Sequence, residues 1–169
     1  MEKRNPEQIL KMIQEQDRER EDHHGKLKIF FGYAAGSGKT YTMLEAAHDL
    51  AGSGVDVISG YIEPHTRPAT MELTKGLEAL TPRSVEYKGI TLREFDLDAA
   101  LLRKPQVILV DELAHTNAPG SRHPKRYQDI QELLDAGIHV YTTLNVQHLE
   151  SLNDIVSSIT HVIVKERVP

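Results

Sequence analysis

The sequence predicts an α/β fold built on a mainly parallel, five-stranded sheet, and three features predict it. An apolar run over residues 27–31 feeds a glycine-rich stretch, and a helical pattern leads out of it from Thr40. A second apolar run, residues 106–110, ends on the acidic pair Asp111 and Glu112. Further apolar strands over residues 55–62, 138–143 and 161–165 alternate with helical segments. This is the pattern of a P-loop NTPase-like, three-layer αβα sandwich. A glutamate following the aspartate points to the division of that class that inserts a strand between the two motif strands. The expected strand order is 5-1-4-3-2.

The first motif ends Gly36, Ser37, Gly38, Lys39, Thr40. Glycines let the backbone curl so that successive N–H groups aim at one anion. The helix behind adds the positive end of its dipole. Gly32, Ala34, Ala35, Gly36, Ser37, Gly38, Lys39, Thr40 and Tyr41 are therefore the expected nucleotide-binding residues. Lys39 is expected on the β- and γ-phosphates and the Thr40 hydroxyl on Mg²⁺. The strict G-x-x-x-x-G-K-[ST] pattern places its first glycine where this chain has Tyr33. The bland alternative is a chance glycine-rich turn before a helix.

With 169 residues, 39% hydrophobic and 27% charged, the chain suits one globular domain with a full core. A net charge of -5 argues against wholesale nucleic-acid binding. The absence of cysteine excludes disulfides and thiolate metal sites. No apolar run approaches the ~20 residues of a membrane span, so no membrane insertion is expected, and no signal peptide is visible.

Residues 1–24 form a helical appendage ahead of the nucleotide-binding domain, 25–169. Asn5 caps its helix, Pro6 occupies the first turn, and Ile9, Leu10, Met12 and Ile13 form a narrow apolar stripe. His23 and His24 are sequence neighbours that share no helix face, which favours a solvated helix end over a metal pair. The second strand ends in a loop holding Glu63, His65 and Arg67. Ligands gather at such carboxyl ends in open α/β sheets, so this loop is either a site or an exposed polar turn. Residues 69–80 read as helix, 84–89 as a short strand or hairpin arm, and 93–102 as helix again.

Four consecutive apolar residues, Val107 to Val110, suggest a strand buried on both faces. Asp111 at its end would hold Mg²⁺ and Glu112 would polarise an attacking water or hydroxyl. The alternative for Glu112 is a carboxylate turned to solvent. Residues 113–126 form a long loop with His115, Arg122, Lys125 and Arg126. His115 is a candidate partner of the acidic pair. The three bases either meet phosphates or an acidic partner, or balance an acidic surface. A helix over 127–135 leads to the next strand, whose tip carries Thr143 and Asn145, the candidate sensors of the γ-phosphate. A helix cap is the alternative for Asn145. A further helix is expected over 152–158.

The string Val110-Asp111-Glu112-Leu113-Ala114-His115-Thr116-Asn117, running on to Arg126, resembles the N-terminal domain of the KdpD family of sensor histidine kinases. Residues 141–154 and the tripeptide Glu63-Pro64-His65 resemble it as well. The resemblance covers about residues 25–169. It implies an ATP-binding, cytoplasmic regulatory module at the head of an inner-membrane, potassium- and turgor-responsive kinase of a bacterial two-component system. Its partners would be the remaining membrane and kinase domains and, indirectly, the response regulator; a homodimer is left open. No phosphoacceptor-histidine motif or histidine-kinase ATP lid is found in this stretch, so no histidine autophosphorylation is expected of it. The missing N-K-x-D motif favours adenine over guanine.

Three functions follow. One is a regulatory switch in which Mg-ATP orders the 63–67 and 115–126 loops. Another is an ATPase or protein-hydroxyl kinase with Lys39 and Glu112 as catalytic residues. The last is a non-catalytic interaction scaffold.

Overall fold

The computed structural model describes residues 6–12, 23–32, 38–64, 67–145, 147 and 163–167. A helix over residues 6–12 (α1) comes first, with Ile9, Leu10 and Met12 exposed. The sheet strands are β1 (Leu27–Gly32), β2 (Val57–Tyr61), β3 (Glu78–Ala79), β6 (Val107–Val110), β7 (His139–Asn145) and β8 (Ile163–Arg167). A separate antiparallel hairpin joins β4 (Arg83–Tyr87) to β5 (Ile90–Glu94). The helices are α2 (Lys39–Gly52), α3 (Pro68–Thr74), α4 (Leu97–Arg103) and α5 (Arg126–Asp135).

The six sheet strands run in the order β3-β2-β6-β7-β1-β8, and every pairing is parallel. Read from β8, this is the expected 5-1-4-3-2 order with one short strand added at the far edge. The alternation of the strands divides the core in two. Ile29, Ile58, Ile108 and Val140 point to one face, where α4 and α5 bring Leu97, Ala100, Ile130 and Leu133. Phe30, Val57, Val107 and Leu109 point to the other, where α2 brings Met43, Leu44 and Ala47. Strands apolar on both faces need a helical layer on each side, and the three-layer sandwich follows.

Two helix expectations are corrected. The helix expected over 69–80 stops at Thr74. Lys75 is extended and Gly76 takes φ 85, which turns the chain so that Glu78 and Ala79 pair with Ile58 and Ser59. Leu73 and Leu77 still pack on the α2 face, so their helical spacing is satisfied without a continuous helix. The helix expected over 93–102 starts only at Leu97, capped by the Asp96 side chain, which accepts from Ala99 N–H at 3.0 Å. Residues 90–94 instead form the second hairpin arm. Lys88 and Gly89 link the arms, both at positive φ (51° and 77°), the geometry of a tight two-residue hairpin turn. The expected Asn5 cap, Tyr33 and the helix over 152–158 lie outside the described residues.

The segment entering β1 is fixed by contact rather than by apolar burial. Gly25 N–H donates to Leu134 O at 2.8 Å. A Cβ at Gly25 would sit 1.9 Å from Ile138 O, which is backbone and has no rotamer to yield. Gly25→Ala should therefore lower stability by about 2–4 kcal/mol in urea unfolding. A loss below about 0.5 kcal/mol would mean this approach is not a constraint on the fold.

Candidate functional site

The carboxyl ends of β1, β6 and β7 meet at one edge of the sheet, and the start of α2 faces them. The in-register pairs Phe30 with Thr143 and Gly32 with Asn145 set β1 level with β7. Gly38 precedes α2 in the left-handed region at φ 90, which delivers Lys39 and Thr40 to this edge. A cleft of about 970 Å³ opens here. Its floor is the sheet edge and α2 start; its walls are Tyr61, Glu63, Pro64 and Arg67, the β4–β5 hairpin and the 111–119 segment.

Asp111 is the hub. Its side chain is 1% exposed and gathers donors from three elements. Thr143 Oγ donates to Oδ1, Glu63 N–H donates to Oδ2 at 3.1 Å, and Thr40 Oγ lies 3.3 Å from both oxygens. The Thr143 hydroxyl also accepts from Glu112 N–H at 3.0 Å, which uses both of its roles. Lys39 is buried and its ammonium donates to Asn145 Oδ1 at 2.5 Å. Burial pulls the Lys39 pKa down, while Asp111 and Glu112 oppose that. Asn145 thus ends β7 as a side-chain acceptor for Lys39, and most of the residues that a helix cap would serve lie outside the described residues.

The Thr40 and Asp111 oxygens are hard donors suited to Mg²⁺. Two oxygens bound to Mg²⁺ at right angles at ~2.1 Å lie ~3.0 Å apart, close to the 3.3 Å seen. Among the described residues no three His, Cys, Asp or Glu side chains converge to cage a metal. Mg²⁺ keeps several waters and takes other ligands from phosphate, so two protein oxygens suffice for it. The chain's own residues therefore fit the ion.

Glu112 follows at φ 61, left-handed for a residue with a Cβ. Its carboxyl opens on the cleft, and its pKa is raised, first by loss of water, then by Glu63 and Asp111. Arg67 and Tyr41 also line the cleft.

The three bases of the long loop go to different places, and Arg122 pairs with surface carboxylates, as the second of the two sequence alternatives has it. Arg126 is fully buried and its Nη1 donates to Asp111 O at 2.8 Å. Arg122 pairs with Asp98 at 2.6 Å and with Glu132, away from the cleft. Lys125 donates to Thr116 Oγ at 2.8 Å. The His115 backbone N–H donates to Glu112 O at 3.1 Å, but its imidazole turns away from the carboxyls of the acidic pair. Its Nε2 sits 3.0 Å from Glu94 Oε1. Glu94 is the residue the sequence reading missed. It is 4% exposed, ends β5, and also accepts from Ala118 N–H at 3.1 Å. The two-residue turn at Lys88-Gly89 was the signal that would have put it at a strand end. Ala34, Ala35, Gly36, Ser37 and His65 lie outside the described residues.

Glu112 yields a pH prediction. Its folded pKa is above its ordinary 4.5, so its ionisation disfavours the fold, and stability present below pH 4.5 is lost as pH rises through the folded value. Glu112→Gln should match the unmodified chain near pH 4 and exceed it at pH 7. The gain should be less than about 1 kcal/mol, because water reaches the carboxyl. Urea unfolding across this range checks it; a gap that narrows as pH rises would contradict it.

A family model described as "KdpD: Osmosensitive K+ channel His kinase sensor domain" matches residues 23–169. The chain is 61% identical over 168 residues to the "Sensor protein KdpD" of Clostridium acetobutylicum, covering 99% of this chain and 18% of that protein. It is 58% identical to that of Escherichia coli over 147 residues, covering 87% and 16%. The chain thus spans less than a fifth of the length of these relatives. Among solved structures, the Legionella pneumophila ATPase DotB aligns at a TM-score of 0.43 and 24% identity, covering 91% of this chain and 38% of DotB. Among the described residues no helix is long and apolar enough to cross a membrane. With its family model matched from His23 to the last residue, this chain belongs to the KdpD family.

Proposed function

We propose that this chain is the Mg-ATP-binding regulatory module of a potassium- and osmotically responsive two-component sensor kinase, acting from the cytoplasmic side of the membrane. The observation that carries the reading is the convergence of Lys39, Thr40, Asp111 and Asn145 on one sheet edge. Lys39 would bind the β- and γ-phosphates, and Thr40 and Asp111 would hold Mg²⁺. A bound Mg²⁺ supplies positive charge that offsets the phosphates. With a phosphate at hand, Lys39 exchanges its bond to Asn145 for a charge-assisted one, and Asn145 is freed to report the change.

Signalling would run through the cleft walls. Glu63 is tied to Asp111 through its backbone N–H, and Arg67 lines the same cleft. Closure of Glu63, Arg67 and the 115–119 wall over the nucleotide would alter the surface offered to the rest of the kinase, and through it to the response regulator. Family membership and the relatives' names as sensor proteins support this role.

Lys39→Ala should weaken Mg-ATP binding by about 2–4 kcal/mol in calorimetric titration, as expected for losing a charge-assisted phosphate contact. An unchanged dissociation constant would defeat the reading.

A second reading rests on Glu112. A carboxyl with a raised pKa, open to the cleft beside Asp111, suits a general base toward water or a hydroxyl. If the module turns over, Glu112→Gln should cut phosphate release about 10²–10⁴-fold while leaving Mg-ATP affinity within a few fold. Equal release from both proteins would leave the module a switch without turnover.

A further inference from the structure

Arg126 is the largest fully buried side chain among the described residues. Its guanidinium carbon lies 4.5 Å from the Tyr61 ring centre, and its Nη2 lies 3.5 Å from Glu94 Oε2. Yet its Nε and Nη2 find no hydrogen-bond acceptor. A buried and incompletely bonded cation is a weak source of stability, and an apolar side chain of similar volume often serves as well or better.

What Arg126 does hold is specific. The Asp111 carbonyl and the Glu112 N–H belong to one planar peptide unit. Arg126 Nη1 donates to the carbonyl at 2.8 Å, and Thr143 Oγ accepts from the N–H at 3.0 Å. Both ends of the unit are pinned. Rotating it would change ψ of Asp111 and φ of Glu112 together. Glu112 stands at φ 61, a region a glutamate leaves unless it is held.

We propose that Arg126 is a positioning residue that, with Thr143, clamps the peptide unit between Asp111 and Glu112 and so sets how both carboxyls face the cleft. Tyr61 and Glu94 seat the clamp. Tyr61 offers its ring to the guanidinium and its carbonyl to Asp111 N–H at 2.9 Å. Glu94 is fixed in turn by His115 and the Ala118 N–H. The consequence for Mg²⁺ rests on the nucleotide-binding reading above; the clamp itself does not.

A four-way comparison of thermal midpoints tests the clamp without any nucleotide. Glu112→Gly relieves a clamped positive φ and should raise Tm by about 2 °C or more in the unmodified chain. In Arg126→Met the carbonyl end of the peptide unit is released, Thr143 alone no longer holds Glu112 at positive φ, and the same glycine should leave Tm unchanged or lower it. An equal rise in both backgrounds would overturn the proposal. Should Arg126→Met not fold, hydrogen exchange of the unmodified chain decides. A clamped Glu112 N–H exchanges at least about 100-fold slower than a free peptide, whereas a rate within about tenfold of the free peptide overturns the clamp. The ligand arm compares ATP affinity with and without Mg²⁺. Arg126→Met should remove about tenfold from the affinity gained with Mg²⁺ and leave the affinity without Mg²⁺ unchanged; equal losses in both would overturn it. If the unmodified chain binds no ATP at all, the functional reading fails and the Tm comparison still judges the clamp.

Discussion

A single buried carboxylate organises this molecule's working edge. Asp111 is almost wholly removed from water, and such a group must be bonded or it destabilises the fold. Its partners come from the start of α2, the end of β2 and the tip of β7. Those three elements are distant in sequence, so satisfying one side chain aligns them. The longest contact is to Thr40, whose hydroxyl lies 3.3 Å from both carboxylate oxygens.

The sheet makes this arrangement possible. Parallel strands apolar on both faces leave polar groups nowhere to go except the strand ends. β6 is buried along all of its length and turns polar only at Asp111. Immediately beyond, Glu112 takes a backbone conformation unfavourable to its side chain. Strain of this kind persists only where neighbours over-determine it. Here the neighbours are Thr143 on one side of the peptide unit and Arg126 on the other. The same segment then supplies Leu113, which is fully buried, so the strained turn is anchored by packing on its far side.

Much of this was legible from residues alone. The apolar run before the glycine-rich stretch and the one ending on Asp111-Glu112 gave the strand-end positions, and the order of the sheet was inferred from the class of P-loop fold to which a glutamate after the aspartate points. Thr143 and Asn145 could be placed at the tip beside β1 because a β-branched run leads to them. The errors share a cause. Residues 69–80 and 93–102 carry apolar groups at mixed spacing, and helical periodicity was read through Gly76 and into the end of the hairpin arm. Backbone conformation at a glycine and at a two-residue turn overrode the pattern. That misreading hid Glu94. Arg126 was read with Arg122 and Lys125 as a base that meets phosphates or an acidic partner or balances an acidic surface; its burial depends on a partner, Glu94, and a ring, Tyr61, that lie far away in sequence.

The most direct measurement is a crystal structure of this chain with Mg²⁺ and a non-hydrolysable ATP analogue. The account predicts Mg²⁺ about 2.1 Å from Thr40 Oγ and no more than one water from the Asp111 carboxylate. It also predicts Lys39 moved from Asn145 to phosphate. A metal bound elsewhere, or a Lys39–Asn145 bond kept intact beside bound nucleotide, would contradict it.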